Sequence, residues 1–133
     1  MKNAYQKYKN TSVQSASKEK LLLMLYEGAI KFIKLAVIAV EKKDIAGRGM
    51  NIGRAYDIVA ELSNTLNFEA GGDLAKTLEQ LYMFVMEQLT KANVKADKKP
   101  LEDALRVMET LYGGWVEAIE KLKREEAEKA EKA

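Results

Sequence analysis

The side chains able to do chemistry in this chain are carboxylates, amines and hydroxyls, because it contains neither histidine nor cysteine. That absence removes disulfide frameworks, zinc sites of the usual kind and nearly every Ser-His or Cys-His nucleophile pair. Helical proteins often build metal sites from inward carboxylates, but the di-iron pattern needs Glu-x-x-His on two helices. Glu61 and Glu79 sit beside apolar positions where they could be buried, yet nothing pairs them, and Glu27 shares a polar stripe with Lys31. Gly47, Gly49 and Gly53 read G-x-G-x-x-x-G, one residue off the dinucleotide fingerprint and with no strand before it. They read instead as a corner, or as a place where two helices come close. No enzyme activity, catalytic residue, metal or cofactor is therefore assigned.

Charge points to no partner either. The 22 basic and 20 acidic residues are interspersed and leave a formal charge of +2, so no footprint for nucleic acid or anionic lipid emerges. A length of 133 residues suits one domain. The apolar run Leu21 to Tyr26 is too short, and too far behind a polar segment, to be a secretory core, so the expected location is the cytoplasm.

The elements that must position any site are helices. Sixteen of the twenty residues from Leu21 to Val40 are apolar, with Glu27, Gly28, Lys31 and Lys34 as the exceptions. Charges near the middle would each cost about 2 to 3 kcal/mol at a bilayer centre, so this is a soluble helix with one wet edge rather than a membrane span. It is expected from about Lys18, capped by Ser17, to Lys43. Ile52, Val59, Leu62 and Leu66 mark a second helix, and Gly71-Gly72 with a cap at Asp73 opens a third, to Val94. Met83, Phe84 and Met86 spill off its stripe, residue types suited to an adaptable surface. Pro100 opens a fourth, whose apolar period continues in phase across Gly113 and Gly114. The expected fold is all-α, an antiparallel up-and-down four-helix bundle over residues 18–126, with a flexible N-terminal arm at 1–17 and a frayed tail at 127–133.

The first helix carries more apolar surface than such a bundle needs. Leu22, Leu25, Ala29, Phe32, Ile33, Ala36 and Val40 make the face that packing would cover. Leu23, Ile30 and Val37 recur every seven residues outside it, beside the charged stripe. Burying three such side chains is worth about 5 to 8 kcal/mol, comparable with the stability of a small domain. The cover could be the chain's own arm with Tyr5, Tyr8 and Val13, a second copy, a client, or the bundle itself if its helices tilt.

The residues Ala4-Tyr5, Val13, Ser15-Ala16-Ser17, Leu22 and Met24-Leu25-Tyr26-Glu27-Gly28-Ala29-Ile30 resemble the start of the flagellar secretion chaperones for flagellin, FliS. Arg54-Ala55, Ile58-Val59, Glu61-Leu62, Leu81-Tyr82, Leu89, Ala92-Asn93, Trp115 and Glu117-Ala118 extend the likeness over nearly the whole chain. Lys18 stands where that family often has proline, Glu27 where aspartate is common, and Gly113-Gly114 is less expected. The resemblance implies a cytoplasmic, non-enzymatic chaperone that binds the disordered C-terminal segment of flagellin, prevents early polymerisation and delivers it to the flagellar export apparatus. It also implies that the arm can occupy part of the client site. The candidate groove residues are Tyr8, Val13, Leu23, Ile30, Val37, Ile52, Tyr56, Val59 and Tyr82. The alternative is a homodimeric structural or adaptor module in which the same stripe is a permanent interface.

Overall fold

The computed structural model describes residues 15–132. They form α1 (Ser15–Glu41), α2 (Ile45–Asn64), α3 (Phe68–Lys95) and α4 (Lys99–Lys132), with no strand among the described residues. α1 and α3 each pack against both α2 and α4, closing a ring in which short connections force neighbours to run antiparallel. The all-α four-helix bundle expected from the apolar spacing is what the structure contains.

The core comes from the 3-4 periodicity of each helix. Tyr26 and Ile33 from α1, Val59 and Leu62 from α2, Tyr82, Val85 and Leu89 from α3, and Leu101 and Met108 from α4 are all fully buried. Ala29, Ala36, Ala55, Ala92 and Ala104 lie between them at zero exposure, small side chains that let the helices approach closely. Burial of the large members at roughly 1.5 to 3 kcal/mol each is the main term holding the bundle together.

The helix ends depart from expectation where side chains compete for backbone. Ser17 already lies inside α1, so it is not the cap of that helix. α2 starts cleanly at Ile45 because the Asp44 carboxylate accepts from the Gly47 N–H at 3.0 Å. A side chain at Gly47 would run into that carboxylate, so the glycine serves the cap. α3 begins at Phe68, not Asp73, because Asn67 Oδ1 accepts from the Ala70 N–H at 3.0 Å. The expected break survives as a kink at Gly72, whose φ of 51° and ψ of −124° suit only glycine. α4 is helical throughout, Gly113 and Gly114 included, and runs on as an exposed helix to Lys132 past the expected boundary at 126.

Candidate interaction surface

Three polar side chains tie the bundle together beneath the surface. The Tyr26 and Tyr82 hydroxyls share a hydrogen bond across the diagonal from α1 to α3, and the Trp115 indole Nε1 of α4 donates to the Tyr26 hydroxyl at 3.1 Å. Burial pushes both phenols above their ordinary range, Tyr82 the further. These hydroxyls are neutral hydrogen-bonding groups at any physiological pH, and no nucleophile is set up here. Glu61 is exposed and Glu79 half-buried, and no acidic cluster that could hold a metal is found among the described residues.

The surface above this network is grooved between helices. Between α1 and α4 runs a cleft of about 580 Å³ lined by Ile30, Leu35, Tyr112 and Gly113, with Glu27, Lys31, Lys34 and Glu109 on its rim. Two polar links span it. The Tyr112 hydroxyl donates to the Glu27 carboxylate at 2.7 Å, which raises the Tyr112 pKa, and Lys34 pairs with Glu109 at 3.6 Å. Both links are solvent-exposed and screened by water, so they do not lock the cleft. Between α2 and α3 lies a second groove of about 490 Å³ over Tyr56, Met83 and Met86. A third, between α3 and α4, passes over Leu74, Leu78, Leu111, Gly114 and Trp115.

These grooves sit among exposed apolar side chains. Met24, Leu35 and Ile38 on α1 are 54%, 38% and 44% exposed, and Tyr56, Met83, Phe84 and Leu74 extend the apolar surface over α2 and α3. Exposed large apolar side chains such as these are available to an interaction surface.

Residues 1–122 match the family described as flagellar protein FliS. The chain belongs to the FliS family. It is 37% identical over 119 residues to the flagellar secretion chaperone FliS of Vibrio cholerae, covering 86% of this chain and 88% of that one. It is 32% identical over 120 residues to the Bacillus subtilis flagellar secretion chaperone FliS, at 90% and 89% coverage. The Campylobacter jejuni chaperone of the same name is 33% identical over 114 residues, at 86% and 89%. FliS is a family of chaperones rather than enzymes, so this chain carries a flagellar secretion chaperone role.

On this FliS bundle the expected groove residues separate into three groups. Leu23, Ile30 and Val37 are half-buried, Ile30 and Val37 packing against the core, and Ile30 lines the α1/α4 cleft. Tyr56 is 39% exposed in the α2/α3 groove. Ile52, Val59 and Tyr82, by contrast, are at most 4% exposed and belong to the core, because the arcs of α2 and α3 that carry them face the centre of the ring. Tyr82 touches the surface only as part of the lining of a small pocket at the α2–α3 corner. Tyr8 and Val13 lie outside the described residues. The sequence reading missed Met24, Leu35 and Ile38, which share the wet edge of α1 with Lys31 and Lys34, and it missed Tyr112 on the facing wall. No helix among the described residues is long and apolar enough to cross a membrane.

Proposed function

We propose that this chain is a cytoplasmic export chaperone that binds the disordered C-terminal segment of flagellin, keeps it from polymerising early and brings it to the flagellar export apparatus. Membership of a family of flagellar secretion chaperones supports the export role. The observation that carries the client reading is the apolar flank of α1: Met24, Leu35 and Ile38 stand exposed on it, and Leu35 with half-buried Ile30 lines a cleft whose opposite wall is α4. Covering the exposed part of those three side chains would add on the order of 2 to 4 kcal/mol, a substantial share of a micromolar complex. An amphipathic client segment places its i, i+3/i+4 and i+7 residues in such a cleft and folds as it binds.

A synthetic flagellin C-terminal peptide titrated into the full chain, followed by circular dichroism, tests this. The mixture should gain helix beyond the sum of its parts, and Ile30→Asp should weaken the gain more than it lowers thermal stability. Additive spectra at saturating peptide would remove the client reading. A chain that stays dimeric at nanomolar concentration in sedimentation and ignores the peptide would establish the homodimeric module instead.

A further inference from the structure

Sulfur in this chain is methionine sulfur. The sequence has six methionines and no cysteine, so no thiol stands ahead of them to take up an oxidant. Among the described residues, Met108 is fully buried in the core and Met86 is half-buried, whereas Met24, Met50 and Met83 are 54%, 51% and 57% exposed. Methionine belongs to the residue types most often buried, so three thioethers more than half open to water put oxidisable sulfur where a dissolved peroxide reaches it.

The three open positions differ in where they stand. Met50 lies in the first turns of α2, and Met83 lines the α2/α3 groove. Met24 is on α1, on the flank it shares with Leu35 and Ile38. At about 100° per residue, Leu35 falls about 20° and Ile38 about 40° from Met24 around the axis, so the three make one apolar stripe about 21 Å long. A guest lying along that stripe takes the Met24 sulfur out of water. As a thioether it is flexible apolar surface and adapts to the guest.

Oxidation reverses that fit. A sulfur lone pair attacks one oxygen of hydrogen peroxide, the O–O bond breaks, and the departing hydroxide takes the proton of the new S–OH and leaves as water. Sulfur is oxidised by two electrons and the peroxide is reduced; two thiols return the sulfoxide to thioether, giving a disulfide and water. In the unloaded chain the sulfoxide oxygen stays hydrated, and the core face of α1, at Tyr26, Ala29 and Ile33, is untouched. Under an apolar guest the same oxygen loses its water and gains no donor.

We propose that Met24 is a reversible oxidation site through which peroxide turns client binding off while leaving the fold intact. The proposal rests on the client reading above and adds redox control to its surface.

The test treats the full chain, as wild type, Met24→Leu and Met83→Leu, with hydrogen peroxide, removes the peroxide with catalase, and titrates each form with an untreated flagellin C-terminal peptide before and after. Mass mapping should find sulfoxide at Met24, Met50 and Met83 well ahead of Met108. Oxidised wild type and oxidised Met83→Leu should each bind about tenfold more weakly than their own unoxidised forms, and oxidised Met24→Leu less than about twofold more weakly. Methionine sulfoxide reductases for both epimers, with a dithiol, should restore the wild-type affinity, and the Tm of wild type should stay within about 2 °C throughout. Equal affinity before and after oxidation, or the same loss in Met24→Leu as in wild type, would overturn the proposal and leave the client reading standing. So would a Met24 that stays unoxidised while Met108 reacts. A peptide that does not bind the unoxidised wild type would remove the client reading and the switch together.

Discussion

Removing one oxygen from the centre of the bundle should cost more than its size suggests. Tyr26 is fully buried and serves two partners at once, the Tyr82 hydroxyl and the Trp115 indole N–H. Tyr26→Phe leaves the shape of the core unchanged and strands both. The Tyr82 hydroxyl, 1% exposed, then lacks its partner at a cost of about 1 to 3 kcal/mol. The indole N–H adds about 0.5 to 1.5 kcal/mol, less because Trp115 is half-buried and can regain water. The sum, about 1.5 to 4.5 kcal/mol, corresponds to a loss of roughly 6 to 18 °C in Tm at about 4 °C per kcal/mol for a domain of this size. Tyr82→Phe is the control, because Tyr26 keeps its bond from Trp115 and the expected cost is about 1 kcal/mol. Thermal unfolding followed by circular dichroism on the two variants decides. Equal losses, or a larger loss for Tyr82→Phe, would refute the placement of Tyr26 at the hub.

The same phenols set an alkaline limit. Below pH 10 they are neutral in both folded and unfolded chains, but above it the unfolded chain releases protons that the folded one retains. Stability should therefore fall as pH rises above 10, with a limiting slope of about 1.4 kcal/mol per pH unit for the deeply shifted Tyr82, and urea midpoints at pH 9 and 11 should differ by less in Tyr82→Phe. An unchanged midpoint between the two pH values would contradict the burial of these groups. Gly113→Ala and Gly114→Ala should each raise stability by about 0.5 to 1 kcal/mol, since both sit in a helix with open space at the Cβ position. Both should also weaken client binding by filling groove walls, and a drop in Tm would show that these glycines serve the fold instead.

The helices were legible because apolar residues three and four apart define a face wherever the partner lies, and Leu78, Val85 and Leu89 or Leu101 and Met108 kept that spacing without interruption. The groove was only partly legible, for a geometric reason. A wheel drawn on one helix states which residues share an arc but not where the neighbouring axes stand. The wheel therefore offers Ile52 and Val59 to a groove although their arc faces the centre of the ring, and it hides Met24, Leu35 and Ile38 among lysines on a face that looks merely solvated. The corners failed for another reason. Asn67 caps α3 ahead of the expected Asp73, and a glycine kink resembles a loop in sequence while keeping helix on both sides. The Tyr26, Tyr82 and Trp115 network joins residues 56 and 89 positions apart, a relation no local pattern carries.

The proposed chaperone role requires that a guest cover the apolar flank of α1. Its most direct test is the heat capacity change when a flagellin C-terminal peptide binds the full chain, taken from calorimetric titrations between 10 and 35 °C. A clearly negative value, reduced in Leu35→Asp, is the expected result. Binding with a heat capacity change near zero, or one that Leu35→Asp leaves untouched, would mean that the guest does not cover this flank.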